Sequence, residues 1–513
     1  MNDTSVATNG SCVRGETTLE TGSNPCRTAK SSAFAVILRN QFSVGDLLGQ
    51  NLRFTPTDPL LALAGIQQTN SPPPMRTLNR RSFLRHSSTF AATAASLHLT
   101  SGARAQSPNG KFTIAFIGPG GMGTYHLKTF VQNDQVDIAY VCDVDQNRLA
   151  AAVKNVEASG RKAPKAVGDL RRVLEDKSVD AVIIATPDHW HAPAAILACD
   201  AGKHVYVEKP GSHNIREGRL MIEAARRTKR VVQVGTQTRS SAHMAAATEK
   251  VRSGAIGEVL ACRVWNSQLR RNVGKAQPST PPAHLDFDTW IGPAPMVPYK
   301  STLLHGIWRW QFAFGSGDMG NDGVHDLDVG LWGLDVGFRH PDRIAALGGK
   351  YFFDDDQQFP DTQTCVFEWN LAGGKKKQLI YEQRIWAPYV QEGYENGDAW
   401  YGTKGYVIGG KESGWQMFEA KNKPVASGKG SPDLPAHHRN FLDCIKTGAR
   451  PNADVEIHHY SASLCHLGNI ATRLGRTLNF DSAKEQFIGD PEANALVRRE
   501  YRKEGHWSVP RGV

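Results

Sequence analysis

The sequence predicts an α/β chain in two folded parts: a doubly wound domain on a parallel sheet, then an α+β domain with a mostly antiparallel sheet. Three observations predict it. From residue 111 onward, short and nearly continuous apolar runs alternate with helical stretches, as expected of parallel strands buried on both faces. The first run ends in a glycine cluster, Gly118-Pro119-Gly120-Gly121-Met122-Gly123. From about Gly235 the apolar period changes to two, with turns such as Ala372-Gly373-Gly374 between the stretches.

The first strand is Phe112-Thr113-Ile114-Ala115-Phe116-Ile117, and a helix follows the glycine cluster to about Asn133. A second strand runs from Val136 to Val141 and ends in Cys142-Asp143. The spacing then predicts helices over 145–158, near 169–176, over 192–201 and over 214–228. Strands are predicted over 180–185, 204–207 and 231–234. Asn214 with Glu217 three residues on makes a capping-box-like start for the last of those helices. Beyond Gly235 come a helix over 242–253, a strand over 259–265, a helix running through Leu334, and period-two stretches at 343–353, 362–369 and 377–385. Two late helices, near 437–446 and 456–474, are expected to pack on the cleft or on the first domain. The two parts therefore read as 106–235 and 236–513.

Strand, Gly-x-Gly-x-x-Gly turn, helix and second strand together make a Rossmann unit for a dinucleotide. Gly118 makes the tight turn, Gly120 lets backbone N–H groups approach a pyrophosphate, and Gly123 lets the helix pack on the strand. Gly121 and Met122 complete the cradle at a helix N-terminus, where unpaired N–H groups and the dipole favour an anion. Asp143 lies 25 residues past Gly118, where an acid bonds the adenosine ribose 2′-hydroxyl; a turn-capping aspartate is the alternative. Its charge repels a 2′-phosphate and no Arg or Lys intervenes before Arg148, so NAD is expected over NADP. Ligands of such sheets sit at the carboxyl ends of the strands. That singles out Thr186-Pro187-Asp188-His189-Trp190-His191 and Glu208-Lys209-Pro210.

These motifs, with the loop Trp290-Ile291-Gly292-Pro293-Ala294-Pro295, resemble the glucose–fructose oxidoreductase / inositol dehydrogenase / rhizopine-catabolism family (Gfo/Idh/MocA) over essentially all of 111–505. The resemblance implies that Thr186, Pro187 and Glu208 lie against the cofactor and that Lys209 sits beside the nicotinamide, touching the hydroxyl that is oxidised. It also implies a cis peptide before Pro210. A partly desolvated ammonium near a positive ring has a depressed pKa, which suits Lys209 to steer or accept an alcohol proton. The family's second catalytic element, G-G-G-x-x-x-D-x-G-x-H, here reads Gly315-Ser316-Gly317-Asp318-Met319-Gly320-Asn321-Asp322-Gly323-Val324-His325. His325 matches the family's general base. The aspartate position is Asn321, which can orient a sugar hydroxyl but cannot take a proton. Asp322 is adjacent, yet one helical residue turns it about 100° away. His191 either lines the nicotinamide pocket or merely starts a helix. Arg239, and Arg309 in Trp308-Arg309-Trp310, either form a carbohydrate platform or belong to the core as salt-bridged arginines among tryptophans. In relatives the open face of the second sheet makes a dimer contact, so a homo-oligomer is expected.

Composition narrows the alternatives. The formal charge of +10 divides evenly, since residues 1–105 hold ten Lys/Arg and five Asp/Glu, and the rest is spread thinly. That is no nucleic-acid footprint. No apolar run reaches the ~18 residues of a membrane span. The eight cysteines form no C-x-x-C pair, so neither a zinc site nor a disulfide framework is indicated. His437-His438 and His458-His459 read as helix-surface pairs with no carboxylate or cysteine at ligand spacing, so no metal is expected.

Three functions are compatible with these readings. One is an NAD-dependent oxidoreductase acting on a sugar, cyclitol or related polyol. Another is an NAD-dependent glycosidase that regenerates its cofactor within each cycle. The third is a non-catalytic NAD-holding protein, against which Lys209 and His325 argue. Residues 1–74 are rich in Ser, Thr, Asn, Gly and Pro, without sustained periodicity, and read as a disordered or mis-called extension. Met75, Asn79-Arg80-Arg81-Ser82-Phe83-Leu84-Arg85, a weakly apolar stretch and Ala103-Arg104-Ala105 then resemble a twin-arginine export signal, which implies a folded, periplasmic protein. Met75 is accordingly expected to be the true start. N-terminal sequencing of the exported protein should find a mature end near Gln106; an end far from it excludes the signal.

Overall fold

The computed structural model describes residues 110–503 and Gly512. The extension and signal segment expected over 1–105 therefore lie outside the described residues.

The first domain is built as the apolar runs predict. Strands β1 (Phe112–Ile117) and β2 (Val136–Cys142) flank helix α1 (Met122–Phe130), and helix α2 (Gln146–Glu157) leads to strand β3 (Lys165–Val167). Asp145 caps α2 by accepting from Asn147 N at 2.8 Å and Arg148 N at 3.3 Å. Helix α3 (Leu170–Glu175), strand β4 (Ala181–Ile184), helix α4 (Asp188–Asp200), strand β5 (His204–Val207), helix α5 (Ile215–Thr228) and strand β6 (Val232–Val234) follow. The sheet order is β3-β2-β1-β4-β5-β6, parallel throughout. The order reverses between β1 and β4, and the crevice at that switch point receives the ligand.

Helix α4 starts at Asp188, four residues before the expected position, and carries Pro193 inside it. Proline lacks the N–H that would bond the carbonyl of His189. Arg499 Nη2 takes that carbonyl instead, at 2.7 Å, so the helix continues through the proline.

Helix α6 (Ala242–Arg252) and strand β7 (Val259–Ser267) open the second domain, followed by helix α7 (Phe287–Ile291). A single π-helical turn, Met319–Gly323, runs into helix α8 (Val324–Leu334). Strands β8 (Arg343–Gly349), β9 (Thr362–Asn370) and β10 (Lys376–Arg384) occupy the three period-two stretches. Strands β11 (Asn396–Gly402), β12 (Gly405–Gly410), β13 (Gly414–Glu419) and β14 (Lys423–Gly428) extend the sheet beyond expectation. Helices α9 (Leu434–Thr447) and α10 (Val455–Leu474), strands β15 (Leu478–Asp481) and β16 (Gln486–Phe487), and helix α11 (Pro491–Ala495) complete the chain. The sheet order is β14-β13-β12-β11-β7-β10-β9-β8-β15-β16. Every neighbouring pair is antiparallel except β7 and β10. Helix α8 lies on this sheet, where Trp400 Nε1 donates to Gly330 O at 3.0 Å.

The late helices return to the first domain. Phe441 and Leu442 of α9 join the core formed by β1, α1 and β2, and Val455 of α10 joins the core on the sheet's other face. The His437-His438 and His458-His459 pairs are therefore buried, at 2% exposure or less, and are not on the helix surface. The six described cysteines are free and buried. Among the described residues no helix is long and apolar enough to cross a membrane.

Burial pushes His189 and His466 down to about 3 and His437 and His458 down to about 4. In the unfolded chain the same imidazoles take protons near about 6.5. Falling pH therefore favours the unfolded state, by up to about 1.4 kcal/mol per pH unit for each histidine across that window. Asp143 and Asp326, raised by burial to about 6 and about 7, act in the opposite sense, but His340, also lowered to about 3, and His213, His325 and His438, all held well below the usual range, add to the histidine side. The melting temperature is expected to fall steeply from about pH 6.5 to about pH 4. A flat profile over that range would contradict the neutral, buried histidines.

Candidate active site

The chain leaves β1 at Gly118 with φ +78°, and a Cβ there would lie 2.8 Å from Thr186 N and 2.9 Å from the Ala185 carbonyl. Only glycine fits between the ends of β1 and β4. A Cβ at Gly123 would lie 2.2 Å from Gly118 O, so the third glycine seats α1 directly on the turn. At Gly120 the space of a side chain is taken by the Arg148 guanidinium, which lies across the cradle. Gly118, Gly120, Gly121 and Met122 form one wall of a cleft that continues to Asp143 and Arg148. Asp143 accepts from Asp145 N at 3.0 Å, and burial raises its carboxyl to about 6. Thr186 and Pro187 line the cleft at the end of β4, where Thr186 Oγ1 is buried with no partner among the described residues. A glycine cradle at a helix N-terminus, a carboxylate at the end of β2 and an orphaned hydroxyl between them fit NAD.

The other end of the cleft carries the reactive groups. Glu208 is buried at the end of β5, and its Oε1 accepts from His126 Nε2 at 2.9 Å and Gln237 Nε2 at 3.0 Å. Burial raises its pKa, but His126 and Lys209 more than offset that and hold it at about 2. Lys209 follows, with a cis peptide to Pro210, and its Nζ donates to the backbone carbonyl of Asn321. Burial lowers the Lys209 pKa, opposed by Glu208. The Asn321 side chain is held at both ends: Oδ1 accepts from Arg309 Nε at 2.8 Å and Nδ2 donates to Asp318 at 2.9 Å. Arg309 lies on Trp308, 4.5 Å from the ring centroid, and also lines the cleft. His191 is buried, with Nδ1 2.6 Å from Pro210 O and Nε2 2.7 Å from Thr186 O, so it pins the two strand ends together.

His325 is half-buried one turn beyond Asn321, outside the residues that line the cleft, and its Nδ1 has no partner among the described residues. Burial, with Lys209 and Lys411 nearby, keeps it well below the usual imidazole range. Asp322 points away from the cleft, as the helical rotation requires. Its carboxylate accepts from Gln268 at 2.6 Å, Asn396 at 2.9 Å and Lys411 at 3.0 Å, and Lys411, with Arg270 and Lys209 nearby, holds it ionised against its burial. Arg239 is not brought to the cleft. Its Nε donates to Asp328 at 2.6 Å and its guanidinium lies 5.0 Å from the Trp332 ring, because a buried arginine between α8 and the first domain needs a full counter-charge.

His126 and Lys411 were not singled out by sequence, and Asp188 only as part of the β4 strand-end motif. His126, on the helix after the glycines, bonds both Glu208 and His438 Nε2, the latter at 2.8 Å. Asp188 accepts from Ser316 Oγ at 2.8 Å, joining α4 to the second domain. Lys411 arrives from the β12–β13 turn. Only Asp188 carried a signal, since it stands within the β4 strand-end motif.

A segment of the second domain closes over the cleft. Gln146 N donates to His284 O and Asp286 N to Val144 O, each at 3.0 Å, and His305 Nε2 lies 2.9 Å from Asp145 Oδ2. Leu285, Trp290 and Trp308 line the cleft from this strap and pack in their own apolar cluster with Ile291, Leu303 and Phe314. The carbonyl of Trp290 accepts from both His189 Nε2 and Trp190 Nε1, at 2.9 and 3.0 Å.

Known proteins match this arrangement. Residues 112–236 match the family model described as oxidoreductase family, NAD-binding Rossmann fold (Gfo/Idh/MocA). Residues 262–366 and 375–509 match its C-terminal alpha/beta domain. A glycosyl hydrolase family 109 protein of Shewanella putrefaciens is 29% identical over 207 residues, 36% of this chain and 45% of the relative. One of Stenotrophomonas maltophilia is 31% identical over 192 residues, 36% of this chain and 41% of the relative. The chain thus spans less than half the length of these curated relatives. The WlbA dehydrogenase of Bordetella pertussis, solved with NADH and UDP-GlcNAcA, superposes with a TM-score of 0.54 at 20% identity, covering 72% of this chain and 99% of that one. The aldose-aldose oxidoreductase of Caulobacter crescentus superposes with a TM-score of 0.56 at 19% identity, covering 72% and 100%. These structures share the fold. The chain belongs to the Gfo/Idh/MocA oxidoreductase family, with an NAD-binding Rossmann domain followed by the family's C-terminal α/β domain.

Proposed function

We propose that this protein transfers a hydride between a hydroxyl-bearing carbon of a sugar, cyclitol or related polyol and NAD. The observation that carries this reading is Lys209, a half-buried lysine of lowered pKa, held by Asn321 O in the same cleft as the glycine cradle. NAD supplies the hydride acceptor or donor when bound. Gly118 to Gly123 hold its pyrophosphate, Asp143 its ribose, and Thr186, Pro187 and Glu208 the far end of the cleft. Lys209 Nζ takes up or returns the hydroxyl proton, and Glu208 and Asn321 aim it. His325 is uncharged near neutrality and serves as the second base behind Lys209. Asn321 positions the lysine and Arg309 rather than exchanging a proton. Arg309 and His191 shape the substrate end, with Trp308 beneath the guanidinium.

A second reading, glycoside cleavage with no net change in the cofactor's redox state, is favoured by the strap from Leu285 to Trp308. An enclosed cofactor that need not exchange suits such a cycle, and the similarity to glycosyl hydrolase family 109 proteins supports it. Export in folded form to the periplasm, directed by Arg80-Arg81, is proposed for either reading, since cytoplasmic NAD is out of reach there. A homo-oligomer is proposed as well.

Mass spectrometry of ligand released from the purified protein is expected to find NAD. With a polyol panel the protein should then form NADH, and Lys209→Ala should lower turnover by at least about 10²-fold while NAD stays bound. Glycoside cleavage without NADH supports the second reading, whereas inertness toward both panels with NAD bound leaves a binding protein. Because burial lowers the Lys209 pKa, the acid limb of kcat/KM for polyol oxidation is expected to lie below the ordinary lysine value of about 10.4. A limb at or above that value removes Lys209 as the base that takes the hydroxyl proton.

A further inference from the structure

Away from the cleft, three residues distant in sequence converge on one buried point. His340 lies between α8 and β8, His459 on the second turn of α10, and Glu485 in the turn between β15 and β16. The two histidines are 1% and 2% exposed. Their rings stand nearly perpendicular, with centroids 5.3 Å apart. His459 Nε2 lies 2.7 Å from Glu485 Oε1, and His340 Nε2 lies 3.7 Å from the same oxygen. One ligand atom from each residue falls within 4.8 Å of the other two.

The His340 ring is what an ordinary ion-pair network leaves unexplained. Its Nε2 is buried without a partner among the described residues, and 3.7 Å to the carboxylate is too long for a hydrogen bond. Its other nitrogen is 3.4 Å from Ser482 Oγ. With Nδ1–H donating to that hydroxyl, the Nε2 lone pair is directed at a carboxylate oxygen, an arrangement that a cation between them would reverse from repulsive to bonding. A ligating histidine anchored through its second nitrogen is the usual form of a metal site. The His459 ring is fixed as well, since a Cβ on Gly218 of α5 would lie 2.5 Å from its Nδ1.

We propose that His340, His459 and Glu485 bind one zinc ion, with the fourth position left to water. Two imidazoles and one carboxylate are a ligand set of zinc, whose bonds of ~2.0–2.2 Å place ligand atoms roughly 3.3 Å apart in a tetrahedron. The residues need only small movements to reach that spacing. Access comes through the groove bordered by Phe338, Tyr460 and Lys484, which reaches Glu485. Arg219 is the competing cation, with Nη2 2.7 Å from Glu485 Oε1. Arg219 Nε also lies 3.2 Å from each carboxylate oxygen, so the ion displaces part of this contact on binding. Bound there, zinc ties the β15–β16 hairpin to α10 and to the approach of β8.

The full-length protein, stripped with chelator and titrated with zinc chloride against a chromophoric competitor, is expected to bind one ion per chain. His340→Ala, His459→Ala and Glu485→Gln should each weaken binding by about 100-fold or more. Arg219→Gln should tighten it or leave it unchanged. Bound NAD and an unaltered far-ultraviolet spectrum report that each variant is folded. Zinc should raise the melting temperature of the parent protein but not of Glu485→Gln. Failure to bind stoichiometric zinc, or binding that survives all three substitutions, overturns the site and leaves a His–Glu–Arg ion pair.

Discussion

A carboxylate buried at the end of a parallel strand needs donors from several directions, and Glu208 draws them from elements that otherwise have no reason to meet. His126 comes from the helix that receives the pyrophosphate, Gln237 from the link into the second domain, and His438, bonded behind His126, from a helix late in the chain. Gly235 makes room, since a Cβ there would lie 2.2 Å from Glu208 Oε1. The resulting negative charge is the nearest counter-charge to Lys209. Cofactor cradle, lysine and domain connection therefore rest on one ionised group.

The parallel half was legible because each strand is a compact apolar run and its turns carry their own chemistry: Gly118 for the tight turn after β1, Asn214 as a cap. The second sheet was only half legible. Strands β8, β9 and β10 alternate clearly, whereas β11 to β14 are short and interrupted by Gly397, Gly402, Gly409 and Gly410, and they become strands by pairing outward from β7. The site divides the same way. Lys209, Asn321 and the glycines sit in local motifs. Lys411 and His438 reach their partners only through the tertiary fold, and nothing in their own neighbourhoods announces it. The histidine pairs were misplaced because their apolar surroundings come from other parts of the chain, and Arg239 stayed open between platform and core because a buried ion pair and a ligand contact look alike in one dimension.

Charge is managed by pairing throughout the floor of the cleft. Asp318 and Asp322 are matched by Arg270, Asn266, Asn396 and Lys411, and the asparagine at 321 sits among them as a neutral bridge. A carboxylate at 321 would keep Arg309 but lose the hydrogen bond to Asp318 and repel its charge. The departure from the family pattern thus agrees with its surroundings, and it moves the positioning role from a side-chain charge to a backbone carbonyl.

The return of α9 to the first domain bears on how the molecule is made. Phe441 and Leu442 close the core around β1 and α1, so the amino-terminal half leaves the ribosome with that face open. The nucleotide fold cannot be completed in the order of its synthesis. Its core is complete only once α9, more than two hundred residues past β6, has been translated.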